Sequence, residues 1–201
     1  MKKLFTTALC LLLALSLFAC KSTPSAVGLS AAQLRALAEE EVQYAGTTGT
    51  MYDIYRFNSL QDIAIFDETA LIIYAEVVNA EVIGDFSERG ISTDNYPRAR
   101  TTVSTIASMK GGAAVGDTFV INEWSGDEYV FGGIPFMTVG NRYILFLSQD
   151  FDGLRGIIGA FGRFIEKQGY MFQQTAEEWR IPTYSPLTTE QFIAQVSTYV
   201  N

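Results

Sequence analysis

The chain has 201 residues, no histidine, two cysteines, and 14 Lys plus Arg against 22 Asp plus Glu, for a net charge of −8; this is enough for one domain with a sizeable core. The missing imidazole excludes Ser-His-Asp and Cys-His catalysis, His-containing zinc sites and histidine pH switching. The acidic balance disfavours a nucleic-acid partner, whose phosphates need Lys and Arg, and a hydrophobic fraction of 48% excludes wholesale disorder.

Met1, Lys2 and Lys3 precede an apolar run from Leu4 to Ala19. That is the layout of an export signal, with a positive start, an apolar helix and a small residue at the cut. The run is shorter than the roughly 20 residues of a spanning helix, which favours a cleaved signal over a permanent transmembrane segment. Leu17-Phe18-Ala19-Cys20 resembles the lipobox of bacterial lipoproteins. The resemblance implies that residues 1–19 are removed and that the Cys20 thiol receives a diacylglyceryl group, since two acyl chains anchor stably where one does not. The alternative is an ordinary secretory signal with an incidental cysteine. The expected location is the bacterial cell membrane or outer membrane, facing outside the cytoplasm. Cys10 would leave with the signal, so no intramolecular disulfide is expected. Losing Lys2 and Lys3 leaves 12 cations against 22 carboxylates, a charge that keeps the body off an anionic membrane and leaves anchoring to the lipid.

Residues 20–29 read as a small, polar tether containing Pro24. A helical segment over 30–58 follows. Ser30 and Gln33 form a capping box, and Leu34, Leu37, Ala38 and Val42 share one face; "AGTTGT" at 45–50 ends the helix. A short helix begins at Ser59 with Leu60, Ile63 and Ala64 inward. From residue 70 the period changes to that of strands: "ALIIYAEVVNAEVI", then, past the polar loop 84–97, "RARTTVSTIASMK", "TFVINEW", a short "EYVFGG" and "NRYILFLSQ". In the last, Tyr143, Leu145 and Leu147 face one side and Ile144 and Phe146 the other. "GLRGIIGAFGRFIEKQGYMF" carries glycines at 153, 156, 159 and 162, suited to strand ends and bends where backbones approach. A terminal helix is capped by Thr188 with Gln191 and presents Phe192, Val196 and Tyr199.

Five or six strands without intervening helices predict a mainly β fold with flanking helices: a small antiparallel barrel over residues 59–201 with an N-terminal and a C-terminal helix. "IIYAEVV", a strand closing on "MKGG", "VGDTFVI" and "VGNRYILFL" together resemble the OB-fold barrels of the netrin-like and tissue-inhibitor-of-metalloproteinase group, and bacterial surface proteins built similarly, over about Leu60 to Phe172. The inhibitors of that group place a free N-terminal cysteine, pinned by disulfides, on the protease zinc. Here the other cysteines are missing and Cys20 would be acylated, so inhibition does not carry over.

"NEWSGDEYVFGG" concentrates Glu123, Trp124, Asp127, Tyr129 and Phe131. Aromatic faces beside carboxylates can hold a sugar or peptide; the competing reading puts Trp124 and Phe131 in the core and the acids on a hairpin tip. "DFDG" at 150–153 resembles a calcium loop but lacks the third oxygen ligand and the distal glutamate, so a solvated hairpin turn is preferred and no metal is expected. "GIIGAFG" lacks the following Lys-Ser or Lys-Thr of a phosphate loop. No catalytic residue and no cofactor is singled out. The sequence reads as a lipid-anchored, non-enzymatic envelope module whose partners are the membrane, through Cys20, and an envelope protein, peptide or glycan. The alternative is a carboxylate-dependent hydrolase of cell-wall or carbohydrate substrates.

Overall fold

The structure, a computed structural model, describes residues 28–40, 57–83, 98–123, 136–158, 161–175 and 180–200. The signal, Cys20, Val42, the 45–50 and 84–97 loops, "EYVFGG" and Gly159 lie outside the described residues. By its contacts the chain divides into Met1–Gln33 and Leu34–Asn201. In the first unit, Ser30 Oγ accepts the Gln33 N–H at 3.3 Å while Gln33 Oε1 accepts the Ser30 N–H at 2.9 Å. That reciprocal pair opens helix α1 (Ala31–Glu40) as the capping box predicts.

The second unit is mainly β. Helix α2 (Leu60–Ile65) is capped by Ser59, which accepts the Asp62 N–H at 3.1 Å. The strands follow: β1 (Leu71–Ile83), β2 (Arg98–Lys110), β3 (Thr118–Glu123), β4 (Arg142–Leu147), β5 (Leu154–Gly156), β6 (Arg163–Lys167), β7 (Tyr170–Gln173) and β8 (Leu187–Thr188). Helix α3 (Thr189–Val200) closes the chain behind the expected Thr188–Gln191 box. Among the described residues no helix is long and apolar enough to cross a membrane.

The ladder is one eight-stranded mixed sheet in the order β5-β3-β2-β1-β4-β6-β7-β8. All neighbours are antiparallel except β3 and β5. Two features of the barrel expectation are thereby corrected: the sheet is not wholly antiparallel, and its ladder is open rather than closed. The strand count also exceeds the five or six expected, because the glycine-rich stretch divides into β5, β6 and β7 and a two-residue β8 docks on β7.

Both faces of the sheet are buried. On one, Ile72, Tyr74, Ile144, Phe146, Phe164 and Met171 pack with Leu60, Ile63 and Ala64 of α2 and Phe192 and Val196 of α3. On the other, Leu71, Ile73, Ala75, Val77, Tyr143, Leu145 and Leu147 pack with Val103, Ile121 and Phe172, and Leu34, Leu37 and Ala38 of α1 lean on them. The alternation in β4 and the inward faces of α1 and α2 are therefore as the sequence predicts.

The sheet is strongly bent. Register shifts interrupt the β1–β2 pairing between Ile72 and Ile73, Tyr74 and Ala75, and Val77 and Asn79, and such bulges sharpen bend and twist. The chain beyond β5 returns to β4: Ile157 bridges Leu147, the Ser148 N–H donates to Gly156 O at 2.9 Å, and the Ile158 N–H donates to Phe146 O at 2.9 Å. Gly162 permits this approach, since a Cβ there would sit 2.9 Å from both Phe146 O and Ile158 O.

Candidate functional site

Of the ligand-binding residues expected from sequence, Trp124, Asp127, Tyr129 and Phe131 lie outside the described residues. Glu123 ends β3 and is buried, with 3% of its surface exposed. Its carboxylate accepts from the Thr101 hydroxyl, from the Met137 N–H at 3.0 Å and from Arg163 Nη1 at 2.9 Å. Arg163 is equally enclosed, its guanidinium 6.0 Å from the Tyr143 ring centre. Burying a carboxylate is unfavourable unless a charge and hydrogen bonds replace its water, and these partners supply both. Glu123 thus faces into the wall between strands. The Tyr143 phenol, in the same interior, has its pKa raised by burial against the opposing charge of Arg163.

The described residues form a more open site at one end of the sheet. Its walls are the β2–β3 connection, Gly111–Asp117, and the β4–β5 connection, residues 148–153. The first turns sharply at Gly111 (φ +87), where a Cβ would meet Ala70 O at 2.7 Å, and is pinned by Asp117, whose Oδ2 accepts the Ala114 N–H at 2.8 Å. In the second, Asp150 Oδ1 accepts the Gly153 N–H at 2.8 Å, and Phe151 and Leu154 exchange backbone hydrogen bonds across Asp152 (φ 52) and Gly153 (φ 78). Two successive left-handed residues make this a tight two-residue hairpin, so "DFDG" is a turn. Among the described residues no three acidic or cysteine side chains converge as a metal would require.

Between the walls lies a cleft of about 370 Å³ whose lining includes Asp117, Phe119, Gln149, Asp150 and Arg155. Arg155 Nη1 donates to Ser148 O at 2.8 Å and its guanidinium carbon stands 5.3 Å from the Phe119 ring centre. Hydrogen bond and ring together fix the plane of the guanidinium. Its Nε is buried without a hydrogen-bond partner, and the ion pairs among the described residues do not include it. On the flanking turns Val115 is 80% and Phe151 79% exposed. Sequence reading stopped at the turn in 150–153 and passed over Arg155; the available signal was a lone cation between glycines in an otherwise apolar stretch.

A second cleft of about 220 Å³ lies beside α3, lined by Ser59, Thr183, Tyr184, Gln195 and Tyr199. Near the start of α3, Glu166 accepts from the Tyr74 phenol at 2.6 Å and from the Thr189 hydroxyl at 2.8 Å. Burial first, then the hydrogen bond and charge of Glu166, push the Tyr74 phenol up to about 12. This cluster ties β1, β6 and α3 together. No protein-family model matches the chain, and no curated protein matches it.

Proposed function

We propose that the chain is a lipid-anchored protein of the bacterial cell envelope, held through Cys20 and facing outside the cytoplasm, whose β domain is a non-enzymatic binding module for an envelope protein, peptide or glycan. The address rests on the Lys2-Lys3 start, the apolar run and the Leu17–Cys20 lipobox. We further propose an OB-like, partly open barrel. In its support, β3 pairs with β5 in parallel, and the chain just beyond β5 meets β4 at the Leu147–Ile157 bridge, giving the circuit β1-β2-β3-β5-β4-β1. OB-folds bind ligands on their loops and one sheet face.

One observation carries the binding function: two turns that wall a polar cleft also hold Val115 and Phe151 out in solvent. Either exposed side chain alone would be ordinary. Their place beside a cleft that contains a guanidinium without a carboxylate partner among the described residues is what a recognition surface requires. The test is a photo-crosslinking residue at position 151 in the full chain in intact cells. A discrete adduct that is absent when the same group stands at exposed Asp67 supports the module; no adduct, or the same pattern from both positions, contradicts it.

A further inference from the structure

Resting on the binding-module reading, we infer that the cleft between the β2–β3 and β4–β5 turns takes the end of a peptide through its free carboxylate, with Arg155 as the anchor. The guanidinium is held by Ser148 O through Nη1 and by the Phe119 ring. Since Nε is buried, the donor capacity left for a ligand lies at Nη2 and the second N–H of Nη1, which no carboxylate among the described residues takes. A half-buried guanidinium of fixed plane matches a carboxylate by two parallel hydrogen bonds.

The other walls select among anions. Asp117 and Asp150 border the same cleft and disfavour a phosphate, with its greater negative charge. Each has one oxygen engaged by the N–H of its own turn, Ala114 or Gly153. Their remaining oxygens, with Gln149, suit the N–H groups of a peptide backbone that arrives with the carboxylate. Val115 and Phe151, exposed on the same turns, offer apolar contact to the side chains near that end. A carboxylate beside N–H donors and apolar groups is the chemistry of a peptide terminus.

The experiment uses full-length protein extracted from membranes and immobilised, exposed to a mixed-sequence library of N-acetylated tripeptides supplied once as free acids and once as amides. Retained peptides are measured by mass spectrometry. Free acids are expected to be retained about tenfold to a hundredfold over amides, the discrimination one charge-assisted pair supplies, and Arg155→Gln is expected to abolish the difference. Equal retention of acids and amides overturns the inference, as does a preference that survives in folded R155Q. Displacement of the acids by inorganic phosphate at lower concentration than by acetate overturns the choice of carboxylate. Should R155Q fail to fold, Phe151→Ser, at an exposed position, is expected to weaken retention of apolar-ended acids severalfold, and the acid–amide comparison stands without any variant. No retention of either library, with the position-151 adduct still formed, overturns the carboxylate inference and leaves the binding module in place.

Discussion

The carboxylate of Glu123 on β3 and the guanidinium of Arg163 on β6 meet at 2.9 Å although three strands lie between theirs in the sheet. Four strand spacings of a flat sheet would set their backbones about 19 Å apart, farther than these two side chains span. The pair therefore records how far the sheet bends back on itself, and it fastens that bend in a dry interior.

Breaking one side of this pair is expected to be severe. Glu123→Ala removes the carboxylate that Arg163, Thr101 and the Met137 N–H all use, leaving a buried cation without it, at a cost of about 3–5 kcal/mol. Replacing both, as E123M with R163M, is expected to cost less than the two single changes together, because no charge is left buried alone, and what remains is the loss of the acceptor for the Thr101 hydroxyl and the Met137 N–H. A double-mutant cycle by denaturant unfolding checks this; additive single costs would show that the two groups do not depend on each other.

Gly162 and Gly156 should respond to alanine to different degrees. A Cβ at Gly162 meets Phe146 O, Ile158 O and Ile158 N within 3.0 Å, all backbone atoms, whereas at Gly156 the nearest atom is the Ser148 hydroxyl at 3.4 Å. Gly162→Ala is therefore expected to cost about 1–3 kcal/mol and Gly156→Ala under about 1 kcal/mol. Thermal midpoints of the two variants give the comparison, and a tolerant Gly162 would mean that β4 and the Ile158 turn do not approach so closely.

This contrast marks how far the sequence could be read. Helix starts were legible because their signals are local: Ser30 with Gln33, Ser59 with Asp62, Thr188 with Gln191. The two faces of β4 were legible because alternation along one strand maps directly onto two cores. The glycines at 153, 156 and 162 marked bends but not which strands the bends would join. Glu123 reads from sequence as a candidate ligand-binding residue, or on the competing reading a hairpin-tip acid, because its partner, Arg163, is 40 residues away and nothing local announces it. The Arg155 cleft was hidden for the same reason, being formed by turns from two separate strand connections.

Alkaline pH should destabilise the fold through its buried phenols. An unfolded tyrosine titrates near 10, while folded Tyr74 is raised to about 12 by burial and then by Glu166, and Tyr143 and Tyr184 are raised by burial. Tyr74's share of stability is complete below about pH 10 and is lost as pH rises through about 12, and Tyr143 and Tyr184 act in the same direction, because the unfolded chain sheds protons that the folded chain retains. Denaturant midpoints should fall between about pH 10 and pH 12. In Glu166→Gln the Tyr74 phenol should titrate nearer to 10, though not reach it, since burial remains. A Tyr74 titration unchanged in E166Q would place Glu166 outside its environment.

The most direct test of the envelope-lipoprotein reading is the intact mass of the protein extracted from membranes of cells that make the full chain. A chain beginning at Cys20 and carrying diacylglyceryl mass is expected, with Cys20→Ser leaving the precursor uncleaved or the protein released. An unacylated chain that begins elsewhere, or a C20S variant processed and retained as before, would contradict the anchor and the location inferred from it.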